Sequence, residues 1–299
     1  MQNTQPTISI VTPTYNRGEL LKNCFESLRQ QTCCDFEWII VDDGSTDHTE
    51  QIANGFLNSP HSFPIEYVQK PNGGKHTALN SAHAYIRGQY VLILDSDDTL
   101  LPEAVEIAIA GWKAYEKNST IGFVTFLKQQ TSGEINAYGK EEGVPLDVLH
   151  HKRICVASSD CCEVIRADLF KQFPFPVFPG ERFLAETALW YRVGIDYKCV
   201  YINKPIYVCE YMQGGLTKEG RAMRIRNSLG GMYTSYLRMN RRCTIAERLK
   251  AGLLYICYGK FAGKSGRAIQ KEAKPYGGLI ALLYPFGWIM WRVWRRKYG

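Results

Sequence analysis

Short apolar runs alternate with amphipathic stretches through the first hundred residues. Runs rich in β-favouring residues predict buried strands at 8–12, 38–41, 65–69 and 90–94. Between them, apolar residues at helical spacing predict helices over 19–31, 49–58 and 75–87. Strands that alternate with helices through short loops predict an α/β fold, built on a parallel sheet with right-handed crossovers.

The pattern is less regular after residue 101. It predicts a helix over 103–117 and a strand over 121–127, followed by a polar irregular insertion over 128–160 that binds substrate. A strand and short turn over 163–170 precede a proline-rich loop over 173–183. The last predicted elements of this part are a helix over 184–193 and strands over 197–202 and 206–211, which are joined through Pro205. Beyond residue 220, basic amphipathic stretches predict helices over 221–242 and 245–262, and an apolar stretch follows at 278–294.

Acidic residues cluster where the fourth predicted strand ends. Asp95, Asp97 and Asp98 follow the strand directly, with Ser96 between them. Ligands of open α/β sheets bind beyond the carboxyl ends of strands, and hard cations such as Mg²⁺ and Mn²⁺ take carboxylate and phosphate oxygens. The cluster therefore predicts a metal–phosphate site. An alternative that is compatible with it is an acidic cap for the next helix, whose first turn begins at Pro102.

The loop after the first strand argues against a dinucleotide. A dinucleotide-binding turn needs G-x-G-x-x-G between the first strand and the first helix. Residues 13–18 contain a single glycine, Gly18. This pattern disfavours NAD or FAD as a cofactor.

Charge divides the chain into two parts. Residues 218–299 contain 18 Lys and Arg against 3 Asp and Glu, or +15, whereas residues 1–217 contain 18 against 26, or −8. A basic region indicates an anionic partner, either nucleic acid or a membrane surface. We expect no nucleic acid partner, because no recognised nucleic-acid module is present.

The apolar stretch at 278–294 favours a membrane surface. It is shorter than a membrane span and contains Pro285 and Gly287. Its tryptophans recur every three residues and are flanked by arginine and lysine, a composition typical of a helix in the membrane interface. A helix that packs on the protein core, or an oligomer contact, is the alternative.

With no apolar leader at the start and ten scattered cysteines without a C-x-x-C pair, the sequence predicts a cytoplasmic protein attached peripherally to the inner face of the cell membrane.

Four motifs follow one another in the first hundred residues: the opening strand 8–16, the acidic segment 41–47, the turn and helix start at 72–80, and the D-x-D segment 94–98. In this order they resemble the family 2 glycosyltransferases, which have the GT-A fold, a Rossmann-like mixed sheet with flanking helices. The resemblance covers about residues 7–212. It implies a GT-A domain over 1–217, with a nucleotide-sugar half at 1–100 and an acceptor half at 101–217. A basic, aromatic-rich helical region over 218–299 follows and associates with the membrane.

The resemblance also implies roles for individual residues. The implied nucleotide-sugar-binding residues are Pro13, Tyr15, Asp43, Lys75, Asp95, Ser96 and Asp97. Pro13 and Tyr15 would line the base pocket, and Asp43 would accept a hydrogen bond from the base. Lys75 would lie near the nucleotide, Asp95 near the ribose or a metal-bound water, and Asp97 would ligate a divalent metal, Mn²⁺ or Mg²⁺.

The general base that the family implies is less clearly marked. The family has a Glu-Asp pair ahead of a helix that carries an arginine, and counting back from Arg192 places Glu186 at the aspartate and Ala185 at the glutamate. We expect Glu186 to be the catalytic base, with Glu181 as the fallback. Glu186 as a charge at a helix N-terminus is the structural alternative. The two glycines of 214–217 suggest a mobile loop over the donor.

The implied function is a metal-dependent inverting transfer of a sugar from a nucleotide-diphosphate donor, a UDP-sugar being favoured, to an acceptor hydroxyl. The acceptor would be a glycan or lipid-linked glycan in bacterial surface-polysaccharide synthesis. A haloacid-dehalogenase-like phosphatase that uses Asp95 is one alternative, since residues 95–99 also read D-x-D-x-T. A non-catalytic nucleotide-binding module is the other.

Overall fold

A computed structural model describes residues 5–135, 137–150, 155–157, 160–209 and 216–298, the side chains of 155–157 and 216–219 excepted. The chain forms two compact units. The first, called here the sheet unit, comprises Met1–Pro174 and Asp196–Tyr211, and the second, the helical unit, comprises Phe175–Ile195 and Met212–Gly299. The 21 residues of Phe175–Ile195 are thus grouped with the C-terminal helices, whereas the sequence-based domain boundary lies at 217.

The sheet unit alternates strands and helices in its first half, as the apolar pattern predicts. Its elements are β1 (Ile8–Thr14), α1 (Gly18–Arg29), β2 (Phe36–Asp42), α2 (Thr49–Leu57), β3 (Ile65–Gln69), α3 (Lys75–Ala82), β4 (Tyr90–Ile93), β5 (Thr99–Leu100), α4 (Ala104–Lys113), β6 (Ile121–Gln130), β7 (Ala137–Gly139), a 3₁₀ turn (Val148–His150), β8 (Cys155–Ala157), β9 (Cys162–Arg166), α5 (Ala167–Gln172) and β10 (Lys198–Cys209).

Eight strands form one mixed sheet in the order β3-β2-β1-β4-β9-β6-β10-β5. The first four are parallel, with Ile8 of β1 paired to Phe36 and Tyr90 on its two sides. Strand β9 runs antiparallel to both β4 and β6, and β5 runs antiparallel to β10. A purely parallel sheet is therefore wrong beyond β4, and the mixed α/β sheet of the GT-A type fits.

The buried strands explain why the parallel half is legible in the sequence. Every residue of β1 and β2 is buried, because helices cover the sheet. Trp38 packs against Phe25 and Phe56 from two helices, with ring centroids 6.0 and 5.7 Å away. Continuous apolar runs are the signature of strands that are covered on both faces.

Three predictions for the second half are corrected. Residues 128–160 are not wholly irregular, since β7 and β8 pair within them. A single strand, β10, replaces the two predicted strands, with register shifts on either side of Pro205 that accommodate the missing N–H, and residues 210–211 of the second prediction lie outside the described residues. The two-residue strand β5, which pairs with Tyr207 and Val208, is absent from the prediction.

The helical unit contains α6 (Thr187–Gly194), α7 (Leu216–Arg226), α8 (Ser228–Leu237), α9 (Ile245–Phe261), α10 (Gly266–Glu272) and α11 (Gly277–Tyr298). The predicted helix over 221–242 is therefore two helices, which are separated at Asn227 by a non-helical backbone. Thr244 and Glu247 form a reciprocal capping box that starts α9.

The C-terminal helix α11 packs one face on α9. Ile280, Leu283 and Gly287 are buried, and a Cβ at Gly287 would lie 2.7 Å from Ile256, so glycine permits the close approach there. Pro285 lies inside the helix without ending it. Across the described residues, no helix combines the length and the apolar character that crossing a bilayer requires.

Candidate functional site

The carboxyl ends of β1, β2 and β4 lie side by side in the sheet, and polar side chains from all three are connected there. Arg17, after β1, pairs with Asp97, after β4, with Nη1 2.8 Å from Oδ2. Lys75, at the start of α3, pairs with Asp95. The structure thus brings Lys75, Asp95 and Asp97 together and adds Arg17, while the roles that the resemblance implies for them stay predictions.

Three carboxylates converge in the turn after β4, which we call the carboxylate turn (residues 95–98). One oxygen from each of Asp95, Asp97 and Asp98 lies within 4.8 Å of the other two. The Asp98 N–H closes the turn by donating to the Asp95 carbonyl at 3.1 Å. Ser96 is buried within it. Such a set of hard oxygen donors fits a divalent cation such as Mg²⁺ or Mn²⁺, with Asp95 and Asp97 as the more accessible ligands.

Two buried side chains hold the carboxylate turn from below. The Tyr207 hydroxyl accepts a hydrogen bond from the Asp95 N–H at 2.9 Å and donates to Asp98 Oδ2 at 2.8 Å. The Cys24 thiol of α1 lies 3.0 Å from the Asp98 carbonyl and 3.4 Å from that of Asp95, to which it donates. Lys128 Nζ lies 4.1 Å above the Tyr207 ring, which brings a further positive charge.

The electrostatics of the carboxylate turn separate its members. Burial, followed by the charge of Asp95, raises the pKa of Asp98 to about 6. Burial also acts to raise the pKa of Asp95, but Lys75 and Lys128 outweigh it and hold that pKa below its usual value. Burial, and then the charges of the three aspartates, raises the pKa of the Cys24 thiol, which is therefore a neutral donor. A cation is accommodated readily next to Asp95, whose lowered pKa keeps its carboxylate negative.

Asp43 organises the neighbouring glycine turn. Its carboxylate is buried and accepts hydrogen bonds from the N–H groups of Gly73 at 2.9 Å and Gly74 at 2.6 Å, and from Lys70 Nζ at 2.5 Å. Gly74 has φ +94°, a conformation that favours glycine. These contacts place the start of α3, and with it Lys75; the predicted contact between Asp43 and a base stays a prediction.

The loop after β1 is tied to the loop after β2. Asn16 has φ +52°, its N–H donates to Ser45 Oγ at 2.8 Å, and its side-chain oxygen accepts from the Thr46 N–H at 2.7 Å. Pro13 is buried inside β1, whereas Tyr15 is 45% exposed. Of the two residues predicted to line a base pocket, Tyr15 therefore offers the accessible surface.

Glu186 and Glu181 belong to the helical unit. Glu186 lies at the N-terminus of α6, where its carbonyl accepts from the Leu189 N–H at 2.8 Å. The carboxylate of Glu181 accepts from the N–H groups of Leu229 at 2.6 Å and Gly230 at 2.8 Å, at the start of α8. Glu181 thus serves as a cap for α8, while Glu186 makes no capping hydrogen bond with its side chain. The glycines predicted to form a mobile loop, Gly214 and Gly215, lie outside the described residues.

Several residues of the site escape the sequence interpretation. Arg17 and Lys70 have no pattern of their own, although both lie next to strand ends and could be found by that position. Tyr207 and Cys24 belong to apolar runs, so only the three-dimensional pairing of β10, α1 and the carboxylate turn reveals their polar role.

The motifs that form this site also define a family. The model of "Glycosyl transferase family 2" matches residues 9–167, more than half of the chain. The chain belongs to glycosyl transferase family 2. This confirms the resemblance and leaves the phosphatase alternative unsupported.

A curated relative of this glycosyltransferase is hyaluronan synthase from Pasteurella multocida, which is 38% identical over 123 residues. The alignment spans 41% of this chain and 12% of the synthase, so it covers a small part of that much longer protein.

Two solved structures share the fold. TarS 1–349 from S. aureus in complex with UDP has a TM-score of 0.62 at 18% identity, with 94% of this chain and 86% of that chain covered. The mannosyltransferase PcManGT from Pyrobaculum calidifontis, in complex with GDP-Man and Mn²⁺, has a TM-score of 0.58 at 17% identity, with 98% and 84% covered. At these identities the likeness concerns the fold.

Proposed function

We propose that this chain is a metal-dependent, inverting glycosyltransferase that moves a sugar from a nucleotide-diphosphate donor to an acceptor hydroxyl. The observation that carries the proposal is the carboxylate turn, where three aspartate oxygens lie within 4.8 Å of one another at the end of a parallel strand. Membership of the family, together with the UDP bound to TarS 1–349, supports a UDP-sugar as the favoured donor.

Asp97 and Asp95 are the proposed holders of Mn²⁺ or Mg²⁺. When bound, such an ion supplies Lewis-acid stabilisation of the charge that develops on the departing diphosphate. Arg17 and Lys75 bring two fixed cations to the same carboxylates and are placed to approach phosphate oxygens once a ligand competes for them. Asp43 keeps the glycine turn, and hence Lys75, in position.

Tyr207 and Cys24 keep the acids oriented. Because Tyr207 binds both the backbone of Asp95 and the carboxylate of Asp98, the carboxylate turn is held before any ligand arrives. Preorganised polar groups of this kind lower the cost of reorganisation during a reaction.

Glu186 is the proposed general base that takes the proton of the acceptor hydroxyl. The carboxylate of Glu181, the fallback, already accepts from two backbone N–H groups at the start of α8, which supports the choice of Glu186. A single attack on the face opposite the leaving group, with the base assisting, inverts the anomeric centre.

Thermal unfolding with UDP tests the donor site. We expect UDP with Mn²⁺ to raise the melting temperature of the wild type, and chelator or Asp97→Ala to abolish the rise. Glu116→Gln, which removes an exposed acid elsewhere in the sheet unit, is the matched control and should retain it. A wild type that no nucleotide stabilises in the presence of metal would contradict the proposal.

We further infer that the helical unit rests on an anionic membrane surface, which suits a lipid-linked acceptor in bacterial surface-polysaccharide synthesis. Helix α11 exposes an apolar stripe at i, i+4, i+7 and i+11, with exposures between 54% and 70%; its members are Leu282, Phe286, Ile289 and Val293. The basic end of α11 adjoins this stripe, with Arg292 5.3 Å from the Trp288 ring and Arg295 5.5 Å from the Trp291 ring. An apolar face bordered by cations and tryptophans suits a helix in the lipid interface.

Flotation with vesicles tests this surface. Removal of residues 278–299 would also strip Ile280 and Leu283 from the core of the helical unit, so substitutions on the exposed stripe are the better probe. The wild type should float with phosphatidylglycerol vesicles and less with phosphatidylcholine vesicles. Equal flotation of the wild type and of a variant without the apolar stripe would overturn the inference.

A further inference from the structure

The helical unit contains a cavity of about 240 Å³ that the transferase proposal does not use. It lies among α6, α7, α8 and α9 and the segment before α6, and residues that define its character are Leu184, Tyr191, Arg224, Arg238, Leu254 and Tyr258. Pockets for whole small molecules span roughly 300–1,000 Å³. The cavity therefore suits one chemical group of a larger ligand, with the atoms bonded next to it.

The walls of the cavity are fixed by hydrogen bonds. Asn227 accepts from the N–H groups of Arg182 at 2.9 Å and Phe183 at 3.1 Å, and Glu181 accepts from two N–H groups at the start of α8. The segment before α6 is thus fastened to the start of α8 at four points. A cavity with such walls exists before a ligand binds, which reduces the ordering cost of binding.

Positive charge dominates the lining. Arg224 and Arg238 both line the cavity, and none of its lining residues is acidic. Arg238 is anchored, since its guanidinium lies 5.4 Å from the Tyr191 ring and 3.8 Å from a Glu247 oxygen. Glu247 itself is bound in the capping box of α9. Arg224 is exposed, and it forms no ion pair with the carboxylate side chains that the structure describes.

Two hydroxyls of the lining, both on α8, use their donor hydrogens within that helix. The hydroxyls of Thr234 and Ser235 donate to helix carbonyls, at 3.0 and 2.8 Å. Two arginines that line one small cavity together with Leu184 and Leu254 match a phosphate ester, because arginine binds phosphate oxygens through pairs of donors and the leucines suit the carbon chain.

The position of the cavity suggests what brings the anion. Ala185 and Thr187 line it, and these are the two neighbours of Glu186 in the chain. A group held in the cavity is therefore placed beside the segment that carries the proposed base. The acceptor is the substrate whose hydroxyl this base must reach.

We propose that this cavity binds the esterified phosphate of the acceptor, with Arg224 and Arg238 as its ligands. That the phosphate belongs to the acceptor rests on the proposed function. That the cavity binds a phosphate ester does not, because it follows from the two arginines. Arg224 and Arg238 act as binding residues that set which acceptors are used.

Calorimetric titration of the full chain with butyl phosphate tests the site. We expect Arg238→Gln and Arg224→Gln each to weaken binding about tenfold, as for loss of a charge-assisted pair. Arg241→Gln removes an exposed arginine outside the cavity and should leave binding within about twofold. Equal weakening in all three variants would reduce the effect to general surface charge and overturn the proposal.

Two further arms identify the ligand chemistry. Butyl phosphate should bind more tightly than inorganic phosphate, since Leu184 and Leu254 contact the ester chain; equal affinity would overturn an esterified ligand. Butyl glucoside should not bind, and affinity equal to that of butyl phosphate would overturn the anionic site. If Arg238→Gln lowers the melting temperature without ligand, its weaker binding could come from a less stable fold. The test then depends on Arg224→Gln, since Arg224 is exposed.

The same samples separate this inference from the proposed function. UDP with Mn²⁺ should stabilise the wild type and all three arginine variants alike. If UDP stabilises them but butyl phosphate does not bind, the phosphate site is wrong and the transferase stands. If butyl phosphate binds as expected but no nucleotide stabilises the protein, the acceptor assignment falls with the proposed function.

Discussion

The carboxylate turn and the C-terminal helix handle charge in opposite ways. In the sheet unit, Asp97 pairs with Arg17 and Asp43 with Lys70, at 2.8 and 2.5 Å. In residues 218–299, 18 basic residues face 3 acidic ones, and α11 leaves an apolar stripe exposed beside its basic end. Paired charges make a preorganised pocket that a compact ligand enters by exchanging partners, whereas an excess of positive charge next to apolar area makes a surface for an extended anionic partner.

The largest expected effect comes from changing the carboxylate turn while α11 is left unchanged. Asp97→Asn should lower the rate of sugar transfer about a thousandfold, because several kcal/mol of charge stabilisation depend on the metal ligand. Vesicle flotation should be unchanged. Transfer assays with UDP-sugars measure the first effect, and flotation of the same preparation measures the second. If Asp97→Asn lowers both sugar transfer and vesicle binding, the carboxylate turn and α11 do not act independently.

The second largest effect comes from removing the apolar stripe of α11 while the carboxylate turn is left unchanged. Phe286→Gln combined with Ile289→Gln should weaken partition into phosphatidylglycerol vesicles about a hundredfold, since each buried methylene contributes ~0.8 kcal/mol. Stabilisation by UDP with Mn²⁺ should be retained. Thr234→Val, a change inside the same unit but away from the stripe, is the control; if it weakens flotation equally, the exposed face is not the contact.

A smaller effect sharpens the description of the carboxylate turn. Tyr207→Phe removes the hydroxyl that joins the Asp95 N–H to the Asp98 carboxylate and should destabilise the fold by ~1–3 kcal/mol. It should also weaken the response to Mn²⁺ with UDP. Tyr115→Phe, which removes a 2.9 Å hydrogen bond to the Gly143 carbonyl, should lower stability without that second effect. The same nucleotide response in both variants would exclude a positioning role for Tyr207.

The smallest effect concerns acid sensitivity of the sheet unit. Burial, and then the charge of Lys171, lowers the pKa of His83 to about 4, below the ordinary 6.5. Between pH 6.5 and pH 4, His83 binds a proton in the unfolded chain but not in the folded chain. The free energy of unfolding therefore falls as the pH drops from 6.5 towards 4. Chemical denaturation at pH 7.5 and 5.5 should show His83→Gln losing about 1 kcal/mol less than the wild type. An identical pH dependence in both proteins would contradict this assignment.

The sequence predicts the half of the fold in which local pattern and tertiary environment agree. Strands β1, β2 and β4 are buried along their whole length, so their runs are legible, whereas the edge strand β3 is half-buried to exposed and still begins and ends as predicted, at Ile65–Gln69. The acids at strand ends are visible for the same reason, as they interrupt those runs. Asp95, Asp97 and Lys75 are accordingly brought together as expected.

What the sequence does not reveal depends on partners far along the chain. Strand β5 has two residues and exists because Leu100 pairs with Tyr207. Strand β10 continues through Pro205 because β6 pairs with it on both sides of the shift. The helix predicted from Leu184 begins only at Thr187, and the segment before it is bound to Asn227 through the N–H groups of Arg182 and Phe183. No local pattern encodes these three facts.

The Cys24 thiol gives the carboxylate turn a native reporter of its own opening. It is fully buried, and its hydrogen bonds to the carbonyls of Asp95 and Asp98 last only while the turn is closed. A neutral, enclosed thiol reacts with alkylating reagents only through local opening, so its labelling rate measures the free energy of that opening directly. When labelling is followed at Cys24 itself, because Cys33, Cys34 and Cys209 are more accessible thiols, protection of Cys24 by each candidate donor ranks donors by how firmly they close the site, with no turnover required.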